Sequence, residues 1–143
     1  MKLAIYPGSF NPFHKGHYDI LTKAERIFDK VIVARGVNLE KGASEYELPK
    51  IISNRTILLY NCLLTDCIQS VAKEYGTTPI VIRGLRNSTD LQYEMTQYRY
   101  LQDIMPDIQV ISIFCDKEYD HISSSGIRTL QKYGNDKITK YLY

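Results

Sequence analysis

The chain has 143 residues, of which 44% are hydrophobic and 24% charged, an ordinary composition for a globular protein. Its apolar runs fall short of the roughly 20 residues that a membrane helix needs, and its N-terminus lacks the architecture of an export signal. The net charge of +2 is too small to indicate a nucleic-acid partner. We therefore expect one domain over residues 1–143, cytoplasmic, with no membrane and no nucleic acid as partners.

The cysteines indicate the same compartment. Cys62, Cys67 and Cys115 form no CxxC pair, and an odd number of thiols cannot all pair within one chain. This usage suits a reducing environment, where cysteine serves as a small apolar side chain.

The first part of the sequence predicts a strand, a helix and a second strand. Residues 2–6 are short and apolar, and a Pro-Gly and an Asn-Pro pair then mark a loop. From about 16 to 28 apolar residues recur at helical spacing, as expected of a helix packed on a sheet. Residues 30–37 form a nearly continuous β-branched run, typical of a parallel strand covered on both faces.

The remainder continues the alternation after a polar stretch at 38–47. Gly76 is expected to end one of the helices. The segment 55–60 is taken as a strand, with a helix as the alternative. Alternating strands and helices predict an α/β fold, a doubly wound parallel sheet of the Rossmann-like kind. Further strands are predicted at 55–60, 79–84 and 108–115, and further helices at 47–53, 62–75, 88–104 and from near Ser124 to 134.

The residues with the most distinctive chemistry follow the predicted strands. In doubly wound sheets, ligands bind beyond the carboxyl ends of the strands. The sequence therefore predicts one pocket built from several loops. These loops are residues 8–17, 38–41, 83–86 and 122–125.

The loop after the first strand favours an anion. Gly8 would let the backbone approach a ligand closely. Gly16 lies where the first helix begins, so that the free N–H groups and positive dipole end of this helix face the pocket. A plain turn needs no pair of histidines, which His14 and His17 supply. These two are also spaced to ligate a metal, but no third ligand follows at a recognisable spacing, and we predict no metal site on the protein.

Cationic and hydroxyl side chains extend this pattern to a polyphosphate. Arg83 and Arg86 offer guanidinium groups that match phosphate oxygens, and the serines at 123–125 with Arg128 behind them suggest a second phosphate cradle. Lys41 is equally consistent with a solvated loop residue, and Glu94 with an exposed helix charge. Such a site would need only in-line positioning and charge stabilisation to transfer a group at phosphorus.

The motifs carry a resemblance to a known family. "GSFNPFHKGH" resembles the (H/T)xGH motif of the nucleotidyltransferase superfamily, and "ISSSGIR" resembles its second signature. "IRGLRNSTDLQYE" is similar to a stretch of bacterial phosphopantetheine adenylyltransferases. "CLLTD", "DKEYDHISSS" and "GNDKITKYL" resemble the same family in the same order, so that the likeness covers nearly the whole chain.

The resemblance implies transfer of an adenylyl group from ATP to 4′-phosphopantetheine, giving dephospho-coenzyme A and pyrophosphate, with Mg²⁺ and in a hexamer. It assigns His17 to transition-state stabilisation, with Lys41 and Arg86 as further catalytic residues. The ATP-binding residues would be Ser9, Phe10, His14, His17, Gly84, Arg86, Glu94, Tyr119, Ser123, Ser124 and Ser125. The residues binding phosphopantetheine would be Ser9, Lys41, Leu64 and Arg83.

Two alternatives remain open at this point. A related nucleotidyltransferase could use another acceptor, such as nicotinamide mononucleotide, or transfer a cytidylyl group to a phosphoalcohol. "GSFNPFH" and "SSGIR" fit that alternative, whereas "RGLR" with Tyr93 and Glu94 favours phosphopantetheine. A nucleotide-binding protein without turnover is the second alternative. The residues that argue against it are His17, Lys41, Arg83 and Arg86.

Overall fold

Five parallel strands form one sheet in the computed structural model, which describes residues 1–37 and 46–143. The strand order is β3-β2-β1-β4-β5. The chain builds outward from β1 in one direction and then returns to build from β4 in the other. This reversal leaves a crevice between the carboxyl ends of β1 and β4, where such sheets bind ligands. The strands are β1 (Leu3–Gly8), β2 (Lys30–Gly36), β3 (Ile57–Tyr60), β4 (Ile80–Leu85) and β5 (Val110–Phe114).

Within the described residues, four α-helices connect and follow these strands. They are α1 (Lys15–Glu25), α2 (Leu64–Tyr75), α3 (Ser88–Ile104) and α4 (Ser124–Lys132). Short 3-10 helices lie at Lys50–Ile52, Lys117–Tyr119 and Asp136–Tyr141. Among the residues that the structure describes, no helix combines the length and the apolar character needed to cross a bilayer.

The predicted α/β architecture is confirmed, with differences at element ends. The segment at 55–60 is a strand rather than a helix, and Gly76 ends α2 with a φ of 73°. The first strand was predicted to stop before Pro7, which was wrong, because Pro7 still pairs in register with Ala34 and β1 ends at Gly8. The helix predicted to reach residue 28 ends at Glu25.

The core has one layer on each face of the sheet. Alternate residues of β1 point to opposite faces, so that Tyr6 packs in the layer under α1 and Ile5 in the layer under α2. Ile20 and Leu21 close the first layer, and Ile68 closes the second. Because α1 is packed in this way, its N-terminus is fixed at the crevice beside β1.

A third, smaller cluster supports the far wall of the crevice. Ile122, Ile127 and Ile138 are buried together, with Tyr119 partly buried against them. This cluster joins α4 and the last 3-10 helix to the loop that precedes α4. The loop is therefore anchored by this packing.

Candidate active site

A cavity of about 370 Å³ opens at the carboxyl ends of β1 and β4. Its walls are the loop after β1, the first turn of α1, the end of β4, one side of α3 and the loop before α4. The structure thus brings together most of the residues that the sequence singled out. Those lining the cavity are Ser9, Phe10, His14, His17, Arg83, Gly84, Arg86, Glu94, Tyr119, Ser123 and Ser124.

Two of the predicted residues that the structure describes do not line this cavity. Ser125 lies in the first turn of α4, with its Oγ 3.4 Å from that of Ser123. Leu64 begins α2 and packs against the core layer that contains Ile68. Lys41 lies outside the described residues.

His14 and His17 hold each other in place at the start of α1. His14 is the N-cap residue, and its Nδ1 accepts a hydrogen bond from the backbone N–H of Gly16 at 3.1 Å. The Nδ1 of His17 accepts from the backbone N–H of His14 at 3.1 Å, which completes a reciprocal capping box. The two rings stack with their centroids 3.7 Å apart. Since Nδ1 is an acceptor in both rings, a neutral imidazole carries its proton on Nε2.

Both imidazoles are neutral near pH 7. Burial, aided by the positive charge of Arg86, lowers the pKa of His14 from 6.5 to about 4. Burial also lowers the pKa of His17 well below its usual value, with His14 and Arg86 acting in the same direction. The site therefore offers two uncharged Nε2–H donors beside a helix N-terminus. Such donors can stabilise negative charge that develops on a reacting group.

Phe10 explains the glycine at the end of β1. A Cβ at Gly8 would lie 2.9 Å from the Phe10 ring, so this glycine is needed for the packing of Phe10. Gly8 also lines the cavity, so the expectation that its backbone approaches a ligand closely stays a prediction. Phe10 itself has a φ of 47°, in the left-handed region that non-glycine residues rarely adopt. Its ring meets the His17 ring edge to face, with centroids 5.0 Å apart.

The serines after the last strand make hydrogen bonds within the protein that were not predicted. Ser123 caps α4 by accepting from the backbone N–H of Gly126 at 3.0 Å. Ser124 donates its hydroxyl to the carbonyl of Pro12 at 2.8 Å, and Arg128 donates to the carbonyl of Asn11. Arg128 therefore joins α4 to the loop after β1. What remains for an anion is the first turn of α4, whose leading N–H groups have no partner within the helix.

Asp90 is a site residue that the sequence reasoning missed. Its carboxylate accepts from Nε and Nη2 of Arg86 at 2.9 and 3.0 Å, and from the backbone N–H of Arg86 at 3.0 Å. The third nitrogen, Nη1, donates to the carbonyl of Ile122 at 3.1 Å. Although burial opposes it, these bonds from Arg86 lower the pKa of Asp90. An aspartate four residues after an arginine, in the first turn of a helix, was the available signal.

Arg83 and Glu94, predicted to contact different substrates, are joined to each other. Nε and Nη2 of Arg83 donate to the two carboxylate oxygens of Glu94 at 2.7 and 2.9 Å. Burial would lower the pKa of Arg83, but the bonds and charge of Glu94 outweigh it and raise that pKa. Glu94 is half-buried in the cavity wall, so its interpretation as an exposed helix charge is wrong.

The comparisons with known proteins agree with this site. A family model described as cytidylyltransferase-like matches residues 5–130. The chain is 39% identical over 142 residues to the phosphopantetheine adenylyltransferase of Mycoplasma capricolum, covering 93% of this chain and 99% of that protein. It is 33% identical over 143 residues to the enzyme of the same name from Clostridium botulinum, covering 94% and 87%. The chain belongs to the phosphopantetheine adenylyltransferase family.

Family membership confirms the resemblance carried by the "RGLR" stretch and the two nucleotidyltransferase motifs. The chain is accordingly a nucleotidyltransferase enzyme. A solved structure from Vibrio parahaemolyticus, assigned as a nicotinate-nucleotide adenylyltransferase, superposes with a TM-score of 0.66 at 17% identity, covering 99% of this chain and 87% of that one. At that identity the likeness shows the fold alone, and it confirms the α/β architecture described above.

Proposed function

We propose that this protein transfers the adenylyl group of ATP to 4′-phosphopantetheine, giving dephospho-coenzyme A and pyrophosphate in coenzyme A biosynthesis. The observation that carries the proposal is the pair of neutral, mutually capped histidines at the N-terminus of α1. The relatives named phosphopantetheine adenylyltransferase supply the acceptor. These relatives favour this acceptor over nicotinamide mononucleotide.

The reaction needs no covalent intermediate on the protein. A phosphate oxygen of phosphopantetheine attacks the α-phosphorus of ATP, and the bond from that phosphorus to the bridging oxygen of the β-phosphate breaks. Pyrophosphate leaves with the electron pair. Negative charge spreads over the oxygens of the transferred group, and Nε2–H of His17 donates to it. His14 orients His17 and adds a second neutral donor.

ATP would be held along the crevice by backbone and guanidinium groups. The first turns of α1 and α4 converge on the cavity and offer N–H groups to phosphate oxygens. Arg86, fixed by Asp90 and by the Ile122 carbonyl, places a positive charge between them. The remaining contacts to ATP would come from Ser9, Phe10, Gly84, Glu94, Tyr119 and the serines at 123–125.

The acceptor would lie on the side of Arg83. Two nitrogens of its guanidinium already donate to Glu94, so a phosphate must share these donors with the carboxylate or displace it. Ser9, an exposed residue that lines the cavity, would contact both substrates. Lys41 and Leu64 keep their assignments to phosphopantetheine as proposals from the resemblance.

Magnesium would enter with ATP and be held by its phosphates. No cluster of three or more metal-ligating side chains occurs in the described residues, 1–37 and 46–143. The cavity carboxylates Asp90 and Glu94 both bind arginines. When bound, the ion neutralises phosphate charge, and the chain's contribution is to place the phosphates against His17 and Arg86.

We also propose that the enzyme assembles as a homo-oligomer, a hexamer by family resemblance. Helix α3 has no buried residue over its 17 positions and carries exposed apolar side chains. The edge strand β5 beside it exposes Phe114 by 74%. An unpartnered apolar face of this kind is typical of an interface between subunits. The exposed apolar residues of α3 are Leu91, Tyr93, Met95, Tyr100 and Ile104.

The proposed compartment is the cytoplasm. All three cysteines are free, including the exposed Cys62, as suits a reducing environment. A net charge of +2 continues to argue against a nucleic-acid partner.

The test is pyrophosphate release by the purified protein with ATP and Mg²⁺, comparing 4′-phosphopantetheine with nicotinamide mononucleotide. We expect release with phosphopantetheine alone. Release with the mononucleotide alone would overturn the acceptor and keep the ATP site. Binding of ATP without release by either acceptor would overturn the assignment as this adenylyltransferase.

A further inference from the structure

Four consecutive backbone carbonyls in the loop after β1 each accept a hydrogen bond from a side chain of another element. Arg128 and Ser124 of α4 bond the carbonyls of Asn11 and Pro12. The carbonyls of Ser9 and Phe10 are both bonded by one residue, Arg35 of β2, which donates from Nε at 3.1 Å and from Nη2 at 3.2 Å. Arg35 thus holds the half of the loop that enters the cavity.

An arginine at this place is unexpected on packing grounds. Arg35 lies directly beside Gly8 in the parallel register, on the same face of β2 as Val31 and Val33. Both valines are buried under α1, and Arg35 is only 6% exposed. Burial of a guanidinium is costly unless it is hydrogen-bonded, and an apolar side chain would continue the pattern. Residues that break a local rule in this way are concentrated at functional sites.

The loop that Arg35 binds includes an unfavourable backbone conformation. Phe10, with its φ of 47°, directs a buried ring against His17, and the ring centroids are 5.0 Å apart. The carbonyl of Phe10 is one of the two that Arg35 holds. A contiguous set of contacts therefore runs from Arg35 through Phe10 to the His17 imidazole.

We propose that Arg35 is a positioning residue for adenylyl transfer, which holds Phe10 in its left-handed conformation so that the Phe10 ring fixes the orientation of His17. This inference rests on the proposed function for its kinetic consequence. The planar guanidinium suits the task because it places two donors at fixed angles on adjacent carbonyls. A lysine ammonium retains the charge but is a single point donor on a flexible stem.

The test uses Arg35→Lys and Arg35→Met, with Arg55→Lys as the matched control. The guanidinium of Arg55 also binds other parts of the chain: Nε and Nη2 donate to Glu25, and Nη1 donates to the carbonyl of Ile51. It lies among the described residues that do not line the cavity. Loss of either guanidinium should lower Tm, but only its loss at Arg35 should lower kcat.

We expect Arg35→Lys to lower kcat by about 10- to 100-fold, in the range known for small misplacements of catalytic groups, while KM for ATP changes little. Arg55→Lys should keep wild-type kcat. Wild-type kcat in Arg35→Lys with only a lowered Tm would overturn the inference, as would a raised KM for ATP at unchanged kcat. If Arg35→Met fails to fold, Arg35→Lys decides alone.

A second readout separates this inference from the proposed function. In protein labelled with nitrogen-15 at histidine, the resonances of the His17 ring should shift in Arg35→Lys and stay unchanged in Arg55→Lys. Unchanged His17 resonances in both variants would overturn the inference even if activity fell. If the wild-type enzyme shows no turnover with phosphopantetheine, the proposed function fails, and this spectral comparison still decides the role of Arg35.

The path through Phe10 has its own check. If Arg35 acts through the Phe10 ring, Arg35→Lys should lower kcat by a smaller factor in a Phe10→Leu background than in the wild-type protein. An equal fall in kcat in both backgrounds would overturn the path through Phe10.

Discussion

The two walls of the cavity differ in burial and in the contacts that hold them. The wall formed by the loop after β1 and the start of α1 is buried, and side chains from β2 and α4 hold its carbonyls. The opposite wall is formed by the end of β4, the loop after it and α3, a helix with no buried residue of its own. Its ionic groups, Arg83 with Glu94 and Arg86 with Asp90, pair with each other at the cavity surface.

This difference gives the two walls different roles: the first orients the histidines, and the second binds an incoming anion. The first wall is fixed within the chain, so the orientation of His14 and His17 belongs to the single subunit. The second wall presents charges that already have partners, so an incoming anion must compete for them. Because the rest of α3 exposes apolar side chains, its environment depends on what covers it, which we propose is a second copy of the chain. The predictions below test this contrast, beginning with the fixed wall.

The largest effect is expected from His17. Replacing His17 by alanine removes a donor to the transferred phosphoryl oxygens, and kcat should fall by about 100- to 1,000-fold. The affinity for ATP, measured by titration calorimetry, should change far less. The exposed His121 provides the control, since His121→Ala should retain kcat. A near wild-type kcat in His17→Ala would remove this residue from the chemistry.

The next effect concerns stability against pH. Unfolded His14 takes up a proton as the pH falls below 6.5, whereas folded His14 stays neutral to about pH 4. Between these values the unfolded state binds more protons, so the free energy of unfolding falls as the pH falls. The shift of the His14 pKa corresponds to a loss of up to about 3 kcal/mol at the acid end of this range, and to none above pH 6.5.

Chemical denaturation of wild-type protein and His14→Asn at several pH values measures this contribution. Asparagine retains an acceptor for the N-cap and does not titrate, so the dependence on pH should become shallower. His17 contributes with the same sign and should leave a residual slope. An unaltered slope in His14→Asn would contradict the burial of a neutral imidazole at position 14.

A smaller effect is expected on the paired wall. Arg83→Ala should raise KM for phosphopantetheine by about tenfold, the value of one charge-assisted hydrogen bond, and change KM for ATP little. Glu94→Gln is the matched variant: it frees the Arg83 guanidinium for the acceptor and should not raise KM for phosphopantetheine, whereas loss of the Glu94 carboxylate should raise KM for ATP. Equal effects of Arg83→Ala on both substrates would undo the assignment of this arginine to the acceptor.

The smallest effect on the chemistry should come from the exposed face of β5. Phe114→Ser removes a ring that is 74% exposed and should lower the molecular mass of the assembly in sedimentation experiments. Ile27→Ser, on the exposed end of the turn after α1, is the control and should leave the mass unchanged. A wild-type assembly in Phe114→Ser would place the subunit interface away from β5.

The sequence was sufficient for the architecture and for most of the residues around the cavity. Hydrophobic periodicity predicted the order of strands and helices, and the rule that ligands bind at strand ends placed His17, Arg83 and Arg86 in one pocket. The partners of these groups were not predictable in the same way. Arg35 bonds residues 25 and 26 positions away, and Arg128 bonds a residue 117 positions away.

Local signals misled where a side chain serves the fold. Gly8 has the pattern of a ligand-binding glycine and lines the cavity, but the absence of a Cβ there is also required by the packing of the Phe10 ring. Arg128 has the pattern of a phosphate-binding residue, but it donates to the Asn11 carbonyl. Both outcomes depend on the conformation of the loop after β1, which long-range contacts determine.

The measurement that tests the central claim most directly is the stereochemical course of transfer at the α-phosphorus. The substrate is ATP made chiral at that atom with sulfur, and the configuration of the dephospho-coenzyme A analogue formed from it is determined. Direct in-line transfer onto phosphopantetheine, aided by the fixed histidines, predicts inversion. Retention would mean two successive displacements through a covalent intermediate on the protein, and would contradict the account.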